Sequence, residues 1–229
     1  MFAFGTLLVV AFVQPHAVAQ DEPSESVSEG TPQRGHLTNA AELPLRGHGF
    51  HWETQRRNAD GRYGTEELVH ALVHAAGVVA DAHPGSDLLI EDLSRPSGGR
   101  IRGHRSHRSG RDADVAYYAE RGEGGPLNPS RSLWFTRSLR VRAGRATFDA
   151  VRTVLLLETL LADRSIEVSH LFMAPHLQRA VLDAASAAHR AQFRDVLRTP
   201  RGRRMDPHAD HFHIRIRCPH GDRPACVER

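Results

Sequence analysis

Two stretches of the sequence concentrate side chains that can do chemistry. Residues 103–115 read GHRSHRSGRDADV, with two histidines, two aspartates and three arginines in thirteen positions. Residues 211–217 read HFHIRIR. Period-two alternation there puts Phe212, Ile214 and Ile216 on one face and His211, His213, Arg215 and Arg217 on the other. Two imidazoles therefore leave an otherwise core-forming strand in the same direction. Within RDADVAYY (111–118), Asp112 and Asp114 likewise share a face, and His107 stands seven residues before Asp114 across a glycine-containing loop. An H-x6-D pair and an H-x-H strand together supply two imidazoles and one carboxylate. That is the three-ligand protein set of a catalytic zinc, which keeps its fourth position for water. A plainer reading is a polar loop pair beside an exposed strand face, in a chain whose sixteen histidines make chance proximity easy.

Other candidates carry less. His70 and His74 have the i, i+4 spacing of a zinc-protease helix, but ALV lies between them and the glutamate of H-E-x-x-H is missing. They read as histidines on a helix face. All 30 basic residues are arginine, which excludes a Schiff-base lysine, a Walker lysine and an S-x-x-K acyl-transfer motif. The net charge of +3 is spread along the chain, with neither a basic helix nor stacked aromatics, so nucleic acid is not an expected partner. Cys218 and Cys226 enclose PHGDRPA, a turn-forming stretch that reads as a local disulfide in an exported chain. A zinc site on Cys218, His220 and Cys226 would lack a fourth ligand.

The elements that must position these residues follow from pattern. An apolar run from Phe2 to Val13, then Ala17-Val18-Ala19, predicts a signal peptide over 1–19, too short for a stable membrane span. The acidic, Ser/Pro-rich stretch after it predicts a disordered tether over 20–45 and a folded domain over 46–229. TEELVHALVHAAGVVADAHPG (65–85) predicts a helix capped by Thr65, with Leu68, Leu72, Ala76 and Val79 inward. Strands are expected over 87–94, 111–118, 166–173 and 211–217. A glycine-rich loop is expected over 122–129 and an arginine-rich one over 199–210. One helix is expected from Thr147 to Asp163, with Phe148, Val151, Leu155 and Leu156 inward, and another from Pro175 toward Leu197. The whole reads as α+β: a small antiparallel sheet carrying the site, with helices packed around it.

GHRSHRSGRDADV together with HADHFHIRIRCP (208–219) resembles the penicillin-insensitive murein endopeptidases. Their superfamily includes lysostaphin-type peptidases, D-Ala-D-Ala metallopeptidases and the hedgehog zinc domain. RYGTEELV (62–69), LLIEDLSRPSGGRI (88–101), FDAVR (148–152) and SHLFMAP (169–175) fall in the family's order, so the resemblance spans about residues 60 to 220. It implies Zn2+ held by His107, Asp114 and His213, with His211 as base or transition-state stabiliser. His104 and His208 match family histidines near the metal and are candidates to stabilise the oxyanion. Asp112, on the ligand face, is placed to orient an imidazole. The resemblance further implies a periplasmic or wall-facing location and cleavage of D-alanyl–diaminopimelate cross-links in peptidoglycan by metal-activated water.

Two departures stand out. Better-known members carry further disulfides, and Arg105, Arg108 and Arg111 make this loop unusually basic. Two competing readings remain. One is a zinc D,D- or L,D-carboxypeptidase that uses a loop arginine to hold a free stem carboxylate. The other is a non-catalytic zinc-containing cell-wall-binding module, against which the intact His211 beside His213 argues. Whether the chain forms a homo-oligomer is left open.

Overall fold

The computed structural model describes residues 25–53, 58–122, 124–142, 144, 146–200 and 206–228. The leader expected over 1–19 lies outside the described residues. A seven-stranded sheet runs in the order Leu197–Arg198, Val168–Phe172, His211–Ile216, Asp112–Ala116, Leu88–Ile90, Phe50–Trp52, Arg46–Gly47. Its pairing is antiparallel except where Leu197–Arg198 meets Val168–Phe172 and where Phe50–Trp52 meets Leu88–Ile90. With four α-helices among the described residues this is an α+β fold, and its sheet is larger and more mixed than the sequence predicts. Among the described residues no helix is long and apolar enough to cross a membrane.

Helix α1 (Glu66–Ala82) starts where its cap predicts: Thr65 Oγ1 accepts from the Leu68 N–H, and Glu66 and Glu67 sit against the positive end. Leu68, Leu72, Ala76 and Val79 are fully buried, while His70 and His74 are exposed. Helix α2 (Ala150–Ala162) is capped by Asp149, whose Oδ1 accepts from Arg152 N at 2.9 Å. Its inward face departs from expectation, since Val151 is 63% exposed and Leu155 only half-buried. The stripe Thr153, Leu156, Leu157, Leu160 packs inward instead. That stripe repeats at i, i+3, i+4, i+7 and carries more apolar volume, so it sets the rotation of the helix. The single helix expected after Pro175 is two, α3 (Pro175–Ala184) and α4 (Ala187–Val196). Ser186 breaks it by turning its hydroxyl to the His189 N–H as a new N-cap.

The expected tether is also corrected. Val27–Thr31 and Arg34–Thr38 pair as an antiparallel hairpin. Ser28 N donates to Asp222 Oδ2 at 2.7 Å, Gly30 N to Ala225 O at 2.8 Å, and Val227 N to Gly30 O at 2.9 Å. The C-terminal loop that receives it is closed by the Cys218–Cys226 disulfide. A polar segment thus gains order from distant hydrogen bonds that local composition does not report.

Beneath the site the last strand sends Phe212, Ile214 and Ile216 into the core at 0%, 0% and 1% exposure. Tyr117 packs there against Phe135, Phe148 and Phe212. Phe212→Ala is expected to lower stability by about 3–5 kcal/mol, whereas Val151→Ser stays within about 0.5 kcal/mol of wild type, both read from denaturant unfolding.

Candidate active site

Strand register builds the site. His213 lies opposite Asp114 and Arg215 opposite Asp112, and residues directly opposite in an antiparallel pair share a face. Over that face folds the 103–110 loop. Its His107 takes φ +64°, a backbone conformation that non-glycine residues adopt only when held there. Three bonds hold it. The His107 N–H donates to Asp112 Oδ2 at 3.0 Å, Nδ1 to the Leu93 carbonyl at 2.7 Å, and the His107 carbonyl accepts from Ser94 Oγ at 2.8 Å.

These bonds fix where the ring protons sit. A carbonyl only accepts, so His107 Nδ1 carries its proton and Nε2 offers a lone pair. His213 Nε2 lies 2.8 Å from Asp112 Oδ1, which also accepts from Arg215 Nε at 2.7 Å. Burial opposes charge on Asp112, but Arg215 and His213 hold its carboxyl well below the usual range. Asp112 is therefore an ionised acceptor, and His213 turns Nδ1 toward His107 Nε2, 3.2 Å away. Asp114 Oδ1 stands 3.1 Å from His213 Nδ1 and 3.3 Å from His107 Nε2, yet accepts no hydrogen bond of good geometry. Ligand atoms about 2.0–2.2 Å from a common tetrahedral centre would lie about 3.3–3.6 Å apart. The three atoms converge at close to that spacing. The same crowding shows in the charges. Burial disfavours a charged His213, but Asp112 and Asp114 outweigh it and raise its pKa. The cluster attracts a cation.

Three further histidines border it. His104 is held between carboxylates, with Nε2 2.8 Å from Asp92 Oδ2 and Nδ1 3.4 Å from Asp114 Oδ2. His104, His107 and Asp114 bring donor atoms close enough to hold a metal ion. His211 places Nδ1 2.8 Å from Asp210 Oδ1 and Nε2 3.7 Å from Asp114 Oδ1. Burial would lower its pKa, but Asp114 and the bond to Asp210 raise it to about 10. His208 donates Nδ1–H to the Asp206 carbonyl at 2.7 Å, and burial, then His211 and His213, push its pKa down to about 4. Together these side chains line a cleft of about 420 Å³, walled by Phe172 and rimmed by Gln33 and Arg105.

The histidines singled out in the two motifs and Asp114 thus meet at one cleft, with Asp112 fully buried behind them. The sequence reading missed Asp92, Asp210 and Phe172. Asp210 adjoins His211 and could have been noticed; Asp92 and Phe172 carry no spacing signal.

A floor of convergent histidine and carboxylate donors, able to hold a metal ion and open to a cleft, defines a candidate hydrolytic centre. The family model described as penicillin-insensitive murein endopeptidase matches residues 28–229, and the chain belongs to that family. Relatives bearing that name in Escherichia coli O1:K1 / APEC and Shigella boydii serotype 18 are 28% identical over 213 residues. One in Escherichia coli O157:H7 is 27% identical over 207 residues. Each alignment covers 88% of this chain and 70% of the relative. Membership supports peptidoglycan hydrolysis by a peptidase.

Asp112→Asn removes the charge that Arg215 and His213 share. It is expected to weaken divalent-metal binding by about 10–100-fold, read by competition with a chromophoric chelator. Stability should fall by about 3–5 kcal/mol, because Arg215 is left buried without its partner.

Proposed function

We propose that this chain is a zinc-dependent endopeptidase that hydrolyses D-alanyl–diaminopimelate cross-links in peptidoglycan. The observation that carries the reading is the convergence of His107 Nε2, His213 Nδ1 and Asp114 Oδ1, with each ring proton committed elsewhere. In this reading His107, Asp114 and His213 hold Zn2+, a donor set of imidazole and carboxylate that suits it. Bound there, zinc supplies a Lewis acid for the scissile carbonyl and a lowered pKa for water.

The chain's own groups do the rest. Asp210 orients His211 through Nδ1, leaving Nε2 over the cleft beside Asp114. The Asp114 charge, 3.7 Å from Nε2, favours the protonated His211 ring, and a cation sharing that carboxylate would weaken this effect. His211 Nε2 then takes a proton from the attacking water and delivers it to the leaving amine. His208, with a bare Nε2 and a depressed pKa, suits an N–H of the substrate better than an oxyanion. His104, tied to Asp92 and Asp114, positions the latter. No acyl-enzyme forms, so β-lactams that trap a serine leave the enzyme active. The leader over 1–19 is read as an export signal that places the domain facing the wall.

A carboxypeptidase is the second reading, favoured by one observation: Arg105 is exposed on the cleft rim, where it could hold a terminal carboxylate. Products separate the two. With cross-linked dimeric muropeptides, mass spectrometry is expected to show monomers, abolished by chelator, restored by Zn2+ and absent with His213→Ala. His211→Ala should keep its metal and lose about 10²–10⁴-fold in kcat. Loss of a terminal D-alanine from intact dimers would establish the carboxypeptidase instead. Dimers of unchanged mass, with metal bound, would sink both.

A further inference from the structure

A second hollow, of about 370 Å³, opens beside the histidine cleft and is lined by Asn58, Asp60, Arg95, Arg100, Arg102 and Gly103. Gly103 lines both, so the two are contiguous at that residue. It has φ +92°, and nothing lies within 4 Å of where a Cβ would stand. Arg95, Arg100 and Arg102 are all exposed. Asp60 neutralises Arg95 through a 2.7 Å contact. Arg100 and Arg102 make no ion pair among the described residues, which leaves two positive charges in excess at the lip. The hollow is also tied to the cleft. Asn58 Nδ2 donates to the Arg102 carbonyl at 3.1 Å and to Asp92 Oδ2 at 2.9 Å, and the same Asp92 oxygen holds His104. One carboxylate therefore sets the arginine-bearing backbone against the catalytic wall.

We propose that this arginine-lined hollow is a subsite for the carboxylates of a stem peptide, holding one arm of the substrate while the scissile amide lies in the histidine cleft. The proposal deepens the endopeptidase reading and rests on it. A cross-link joins two stems, so an amide centred in the cleft sends an arm outward on each side. Those arms bear free carboxylates at diaminopimelate and at terminal D-alanine. A guanidinium meets a carboxylate as a planar fork, two bonds at a time. Because both arginines are solvent-exposed, each contact is modest. Their loss acts on substrate capture more than on the chemical step.

The test compares wild type with the Arg100→Gln/Arg102→Gln double variant, whose changes are on the surface and spare the core. Each is given cross-linked dimeric muropeptides with free carboxylates, and the same dimers with those carboxylates amidated. Steady-state kinetics and calorimetric binding are both read. For the free dimer the variant is expected to raise KM about tenfold with kcat within about twofold. Wild type on the amidated dimer should behave like the variant, and the variant should be indifferent to amidation. Equal KM for wild type and variant on the free dimer would overturn the proposal, as would an equal loss on the amidated one. So would tighter binding of a polyglycerol phosphate chain than of muropeptide that depends on these arginines, which would make the hollow a phosphate site. If wild type binds the free dimer in preference to the amidated one through these arginines but cleaves neither, the subsite stands and the endopeptidase reading falls.

Discussion

The Asp112 carboxylate, at 0% exposure, is the interaction on which the site depends. One oxygen accepts from both His213 and Arg215, the other from the backbone of His107. A buried charge is costly unless it is paired and fully hydrogen-bonded, and these three donors meet that condition. In doing so they fix the tautomer of His213, the register of the last two central strands and the left-handed turn at His107. Moving any one of the three leaves a charge or a donor uncompensated. That coupling makes a loop residue as well placed as a strand residue.

The charges near this face also explain why it wants a cation. Asp112 and Asp114 bring two negative charges, and Arg215 returns one. The remaining demand falls on imidazoles, and the pKa values of His211 and His213 are raised accordingly. A metal ion bound there would answer the same demand at one point and free those protons. On the far side of the Asp112–Ala116 strand the arrangement differs. Arg111, fully buried, donates to the carbonyl of Val227 at 3.1 Å and reaches those of Gly30 and Ile216 and the Glu228 carboxylate at 3.5 Å. It fastens the N-terminal hairpin and the disulfide-closed tail behind the site loop.

Much of this was legible in the sequence because strand alternation is a strict rule. HFHIRIR and RDADV each assign faces without knowledge of the fold, and Thr65 with two glutamates marks the start of α1. What stayed hidden depends on distant partners. The 27–38 hairpin is polar and carries no strong local preference, so its order comes from Asp222, Ala225 and Val227. Val151 is apolar and helical, yet the rotation of α2 is set by the stripe with greater volume. Ser186 can continue a helix or cap the next one, and only the packing on either side chooses. Asp92 has no spacing that ties it to the motifs, although it holds both His104 and Asn58.

His208 and His211 are the last step in connecting fold to chemistry. Their ring centroids are 4.9 Å apart, in one cleft, yet their pKa values are pushed in opposite directions. Burial lowers both. His211 recovers through Asp114 and Asp210, which the strand register and chain adjacency supply. Among the described residues the His208 ring bonds only to the Asp206 carbonyl, and the charges of His211 and His213 outweigh that of Asp114. The Asp206 carbonyl stabilises its Nδ1 proton but adds no negative charge, so the neutral ring wins. Two groups of one type whose environments separate their protonation states can divide proton donation from acceptance. The division arises from which oxygen each ring meets, a carboxylate or a carbonyl, and the turn at His208, with φ +53°, decides that.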